Sequence, residues 1–263
     1  MNTHTIQPTA NRGWAARLAG IAILSASTLA VALPMRAHAQ AAPDYAAILA
    51  APGRSDADLA NDKRRDPVKL LAFTGVRPGM KALDMGAGAG YSTDIIARVV
   101  GPTGTVYAQN APDFAERVKA RLEARIASLP AKNIVLDPRP FEDPLPADVK
   151  NIDLITFFFF YHDTTAMPVD RAKMNKALFT ALKPGGSLVV ADHMANDGDG
   201  ANVGKTLHRI EKATLIKEIE AAGFKLVDEG TFLRHPEDPH TESVNQRKEN
   251  IDEFIVRFEK PKS

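Results

Sequence analysis

Between residues 84 and 90 the chain reads Asp84-Met85-Gly86-Ala87-Gly88-Ala89-Gly90. Glycines at alternate positions after an apolar run let the backbone turn sharply and approach a ligand more closely than a Cβ would permit. A dinucleotide-binding loop needs glycine three places after Gly88, and Tyr91 stands there. The spacing G-x-G-x-G, with an acid two residues ahead, suits a cationic, amine-bearing ligand better than a pyrophosphate. A carboxylate at Asp84 attracts an ammonium directly or through a bridging water. A plain glycine-rich strand-to-helix turn is the structural alternative. Further along, Tyr161-His162-Asp163, Asp192-His193 and His208-Arg209 gather imidazoles and carboxylates at three separate places. Because imidazole titrates near neutral pH, His162 and His193 are candidates for a general base. His208-Arg209 either joins them or simply caps and anchors a helix.

The elements that must position these residues follow from periodicity and turn residues. Residues 43–73 read as helical, with a polar stretch from Arg54 to Asp66; Lys63-Arg64-Arg65 is a polar helix face, although an N-terminal helix can also cover a substrate pocket. Strands are expected at Lys81–Met85, Thr105–Ala108, Asn133–Leu136, Ile152–Tyr161, Ser187–Ala191, Phe224–Asp228 and Glu253–Glu259. Helices are expected at Ser92–Val100, Pro112–Leu129, Arg171–Leu182 and Thr206–Ala222. The run Ile152 to Tyr161 reads as a strand buried on both faces. Strands alternating with helices imply a parallel sheet covered on both sides, and two final strands without a helix between them imply an antiparallel pair. In such a sheet ligands bind beyond the C-terminal strand ends, where His162, His193 and His208 would converge.

Composition narrows the chemistry. The 263 residues contain no cysteine, which excludes thiol nucleophiles, disulfides and Cys-type metal sites. The 33 Lys+Arg and 32 Asp+Glu nearly cancel, so a basic coat for nucleic acid is not expected. Residues 1–39 read as a secretory signal peptide: Arg12 and Arg17 precede the mostly apolar stretch Leu18 to Leu33, and Ala37-His38-Ala39 is an A-x-A cleavage site. Cleavage after Ala39 would leave an exported, periplasmic protein with no stable membrane anchor. Translation from Met35 would instead give a cytoplasmic one. The mature chain divides into a helical segment, 40–75, and a single domain, 76–263.

Several stations along the chain resemble class I S-adenosylmethionine-dependent methyltransferases. They are Val76-Arg77-Pro78-Gly79-Met80 leading into the glycine loop, Asn151-Ile152-Asp153-Leu154-Ile155, and Leu182-Lys183-Pro184-Gly185-Gly186-Ser187-Leu188. More narrowly, Tyr161-His162-Asp163, Val190-Ala191-Asp192-His193 and Leu207-His208-Arg209-Ile210-Glu211 look like a bacterial group of predicted methyltransferases with signal peptides. The resemblance implies an α/β, Rossmann-like fold: a seven-stranded, mostly parallel sheet with an antiparallel last strand and helices on both faces. It implies S-adenosylmethionine as cofactor, with Asp84, Gly86, Gly88 and Gly90 cradling its methionine part. The ribose acid at the end of the second strand is replaced by Asn110, which accepts at only one end of its amide. Phe141, Glu142 or Asp143 would border adenine.

The expected activity is methyl transfer to a small-molecule acceptor, with His162, His193 and His208 as the candidate catalytic residues. The alternative is an exported, non-catalytic binding protein on the same fold. Some methyltransferases of this fold hold a divalent metal on acids after the fourth and fifth strands, places that Asp163, Asp192 and Asn196 occupy here. With no carboxylate cluster at recognisable ligand spacing, no metal site is expected. Asn196-Asp197-Gly198-Asp199-Gly200 has Leu207 where a calcium loop needs its distal Glu, and reads as a flexible lid.

Overall fold

The computed structural model describes Met1 and residues 41–262. The signal-peptide reading of residues 1–39 falls almost wholly outside the described residues. The N-terminal segment forms three helices rather than one: α1 (Tyr45–Leu49), α2 (Asp56–Arg65) and α3 (Pro67–Thr74). Asp66, left-handed at φ 40°, closes α2 and opens α3, because Pro67 cannot continue a helix ladder but is well placed at a first helical position. A reciprocal Ser55–Asp58 capping box starts α2.

The rest alternates as β1 (Lys81–Met85), α4 (Tyr91–Val100), β2 (Thr105–Asn110), α5 (Pro112–Ser128), β3 (Ile134–Pro138), β4 (Ile152–Phe158), α6 (Arg171–Ala181), β5 (Leu182–His193), α7 (Gly204–Leu207), α8 (Lys212–Ala221), β6 (Lys225–Gly230) and β7 (Glu253–Glu259). The seven strands form one sheet in the order β3-β2-β1-β4-β5-β7-β6. Every pairing is parallel except those of β7, which runs antiparallel to both neighbours. The order reverses between β1 and β4, a topological switch point where a crevice opens beyond the strand ends.

Alternate residues of the strands serve the two faces. Ala82, Val106 and Val189 pack with Leu70, Leu71, Ile95, Ile96 and Val99 from α3 and α4. Leu83, Ile155, Leu188 and Val256 pack with Met174, Leu178, Leu215 and Ile219 from α6 and α8. Each fully buried aliphatic side chain of this kind contributes roughly 1.5–3 kcal/mol.

Two expectations are corrected. β4 stops at Phe158, not Tyr161: Phe159 adopts φ 57° and donates its N–H to the Ala191 carbonyl at 2.7 Å, and the chain leaves the sheet in a 3-10 turn over His162–Thr165. The helix expected at 206–222 breaks at His208, which is left-handed (φ 54°), and a bridge between Met194 and Ile210 separates α7 from α8. His208 and Arg209 therefore end one short helix instead of opening a long one.

α2 is fastened to the domain by charge rather than by apolar surface. Arg125 of α5 forms two 2.8 Å hydrogen bonds with Asp58, whose residue is 2% exposed. Asp62 accepts from Arg54 and, at 2.7 Å, from the Tyr91 hydroxyl. Burial would raise the Asp58 pKa, but hydrogen bonds from Arg125 and Ser55 outweigh it and bring it down to about 2. A carboxylate depressed in the folded state stabilises above its unfolded value and loses that contribution as pH falls through the folded one. Urea denaturation should therefore show stability declining between about pH 4 and 2, with a shallower decline in Asp58→Asn. Arg125→Met, which strands a buried carboxylate, should cost about 3 kcal/mol at neutral pH.

Candidate active site

The loop between β1 and α4 is built on a carboxylate that ligands do not see. Asp84 is fully buried and accepts hydrogen bonds from Ser92 Oγ (2.9 Å), Thr93 Oγ1 (2.6 Å) and Thr156 Oγ1 (2.8 Å), tying β1 to the start of α4 and to β4. Burial raises its pKa, and the hydroxyls of Thr93, Thr156 and Ser92 oppose that rise. Above it Gly86, Gly88 and Gly90 take φ of 60°, 58° and 86°, a region open to glycine and costly for other residues. A Cβ on Gly86 would lie 2.8 Å from Phe160, and one on Gly90 2.5 Å from Leu122, whereas one on Gly88 would meet nothing within 4 Å. Gly86 and Gly90 thus serve packing, and Gly88 leaves the space beside its Cα free.

Two side-chain amides of β2 hold this loop from the side. Gln109 Oε1 accepts from the Gly86 N–H at 3.0 Å, and Asn110 Oδ1 accepts from the Gly88 N–H at 2.8 Å while its Nδ2 donates to the Gly88 carbonyl at 3.2 Å. Asn110 is therefore engaged with the loop itself.

A cavity of about 840 Å³ lies between the glycine loop, the aromatic residues Phe158 to Phe160, and the α2 side chains Asp58 and Arg65. Arg65, from the polar face Lys63-Arg64-Arg65, stands seven residues after Asp58 and so on the same side of α2. Its guanidinium sits 4.4 Å from the Phe159 ring centroid and 5.1 Å from that of Tyr91. Burial, followed by the neighbouring Arg64, lowers the Arg65 pKa to about 10, so it stays cationic at neutral pH. The first turn of α4 borders the same cavity and has no side-chain cap, which leaves backbone N–H groups available to an anion.

Asn110 faces a smaller hollow of about 290 Å³ with Asp137 and Leu136 at the end of β3. Burial pushes the Asp137 carboxyl up to about 6. Glu142 and Asp143 are not brought to either hollow. Glu142 accepts from the Asp170 N–H, Asp143 pairs with Arg139, and both border a separate depression beside α6. Phe141 is core, stacked near Phe157 and Phe160. The proline-rich loop hid this, since no periodicity marks which of its residues turn inward.

The three histidines do converge. His162 and His193 ring centroids are 5.4 Å apart, and those of His162 and His208 5.5 Å. Asp192, fully buried, accepts from the N–H groups of His162 and His193 at 2.8 Å each and meets His162 Nδ1 at 2.6 Å. Asp163 Oδ1 lies 3.3 Å from His162 Nε2 and 3.1 Å from His208 Nδ1. Arg209 is paired with Asp238. Burial alone would lower the His162 pKa, but Asp192 and Asp163 push it up to about 10; burial takes His193 down to about 3, with His162, Arg64 and Arg65 adding to the fall. Neither imidazole titrates near neutral pH, which is the property that nominated both as general bases. The cluster adjoins the cavity through Phe159, whose ring stacks on His193 at 5.3 Å.

The sheet order, the glycine loop at the switch point and the cavity beside it define a Rossmann-like domain with a ligand crevice. Residues 77–235 match a family profile described as a methyltransferase domain, more than half of the chain, and the chain belongs to that family. Its sheet is that of the class I methyltransferase fold. The ubiquinone/menaquinone biosynthesis C-methyltransferase of Vibrio vulnificus is 31% identical over 141 residues, 51% of this chain and 52% of its own. The protein-L-isoaspartate O-methyltransferase of Aeropyrum pernix is 41% identical over 56 residues, 21% of this chain and 22% of its own. The chain thus spans about half the length, or less, of these curated relatives. Among solved structures, an S-adenosylmethionine-dependent methyltransferase from Aquifex aeolicus has a TM-score of 0.57 at 20% identity, covering 82% of this chain and 98% of that one.

The glycines should separate by function. Gly88→Ala should weaken calorimetric binding of the demethylated cofactor at least tenfold with about 1–2 kcal/mol of lost stability, the cost of a left-handed alanine. Gly90→Ala, which collides with Leu122, and Asp84→Ala, which strands three buried hydroxyls, should each lose about 3 kcal/mol or more in urea denaturation.

Proposed function

We propose that the protein transfers the methyl group of S-adenosylmethionine to a small-molecule acceptor held in the cavity beneath α2. The observation that carries this reading is that one cavity is bordered by the uncrowded Cα of Gly88, the uncapped start of α4 and the Arg65 cation. Those features fit the cofactor: an amino-acid carboxylate suits the helix start and Arg65, and Gly88 offers room for close approach. When bound, the cofactor supplies a methyl group made electrophilic by its sulfonium. Ligand sites commonly measure roughly 300–1,000 Å³, and a cavity near the top of that range has space for a second, small molecule.

The residues of this chain contribute position more than proton transfer. Phe158 to Phe160 form an apolar wall, and Arg65, stacked on Phe159, fixes the charge of the cavity roof. In-line displacement gains mainly from holding the reactants in alignment. No histidine is among the residues that line this cavity, so an acceptor that ionises readily or carries a lone pair suits it best.

Methyl-labelled cofactor incubated with the full chain and fractionated cell extract should place label in the low-mass fraction and release demethylated cofactor. Label in RNA or protein instead, or no release with any fraction, would overturn the reading. For residues 1–39 the basic start, apolar run and A-x-A site support an export leader. N-terminal sequencing of the protein recovered from the periplasm should then begin at Gln40, and an unprocessed chain in the cytoplasm would contradict it.

A further inference from the structure

We propose that His162, Asp163 and His208 form a binding site for a divalent transition-metal ion, a site that stands or falls independently of the methyl-transfer reading. Its ligands are His162 Nε2, whose proton the ion displaces to solvent, one carboxylate oxygen of Asp163 and His208 Nδ1, with Asp192 orienting His162 from behind. The three ligand atoms lie within 4.8 Å of one another. Asp163 Oδ1 is 3.3 Å from the first nitrogen and 3.1 Å from the second. Ligands bound at about 2.0–2.1 Å around a tetrahedral ion stand roughly 3.3–3.4 Å apart, so the edge to His162 already has metal-site length and the edge to His208 is slightly shorter.

What lies behind the cluster favours a metal as well. A ligating histidine almost always gives its other ring nitrogen to a carboxylate, which fixes the tautomer and aims the ring. Asp192 does this for His162 at 2.6 Å, and it is itself immobilised by the backbone N–H groups of residues 162 and 193. The other grouping of metal-binding type among the described residues, His162, Asp192 and His193, is wholly buried, and its 2.6 Å contact is a hydrogen bond rather than a ligand edge. By contrast the Asp163 and His208 side chains are 31% and 34% exposed, so an ion there keeps access to water or to a ligand in its remaining position.

The fold also goes to some length to deliver His208. A Cβ on Gly204 would lie 2.0 Å from Thr165 Oγ1 and 2.6 Å from the His162 carbonyl, so only glycine lets α7 press onto the 3-10 turn that carries His162 and Asp163. Four residues on, His208 holds a left-handed backbone at φ 54°, unfavourable for a non-glycine residue, with its ring turned to Asp163. Two nitrogens and one carboxylate favour zinc, cobalt, manganese or iron(II) over magnesium or calcium, which take oxygen ligands. The third ligand comes from 45 residues away in the chain, a separation at which no ligand spacing shows in the sequence.

The test uses the untagged full chain, stripped with a chelator and titrated with Co²⁺. One equivalent should bind with visible absorption bands stronger than those of the aqueous ion, and Zn²⁺ should displace it. His208→Ala and Asp163→Asn should each weaken Co²⁺ binding at least tenfold, and Asp192→Asn about 10–100-fold, the usual effect of removing an outer partner. His208 and Asp163 are partly exposed, so circular dichroism should show both variants folded. Bands no stronger than those of the aqueous ion, or unchanged affinity in the folded His208→Ala and Asp163→Asn proteins, would overturn the site.

Discussion

The interaction on which most of the molecule depends is the meeting of one ionisable group with three hydroxyls at the end of β1. Asp84 is out of reach of solvent, and Ser92, Thr93 and Thr156 stand in for the water it has lost. Leaving such a carboxylate unpartnered in the interior would be prohibitive, so the start of α4 and the middle of β4 are obliged to come to it. That obligation fixes where the glycine loop begins, which direction α4 takes, and therefore where the cavity opens. The acid is a positioning residue whose effect on a ligand passes through the backbone it holds.

The roof of the cavity is held differently. The polar helix α2 has little apolar surface to bury, with a mean composition dominated by Asp, Lys and Arg, and its contacts to α4 and α5 are guanidinium–carboxylate pairs and aromatic–cation stacking. Such contacts are directional and depend on both partners, in contrast to the tolerant packing of the two core faces. Ion pairs of this kind let one helix be held in register over a wet cavity without sealing it with hydrophobic side chains.

Much of this was legible in the sequence. The alternation of strands and helices, the parallel order with an antiparallel final pair, and the loop from Asp84 to Gly90 all follow from periodicity and glycine spacing. Less legible were features decided by non-local partners. That Asn110 would spend its amide on Gly88 depends on the register of β1 against β2. That Phe159 would leave β4 depends on a left-handed residue inside an aromatic run whose composition favours a strand. The displacement of Glu142 and Asp143 to another surface is set by a proline-rich loop without period, and the environment of His162 by acids supplied from two sides.

Phe159 gives the architecture a property that neither of its neighbours has alone. One side of its ring carries the Arg65 guanidinium and forms part of the cavity wall; the ring also stacks on His193, which shares Asp192 with His162. The aromatic plate is a party wall between a chamber for ligand and a chamber of fixed charge. A substitution that shrinks the plate removes the support of Arg65 and of His193 together. No side chain of the histidine cluster lines the cavity, so Phe159 is the surface the two have in common.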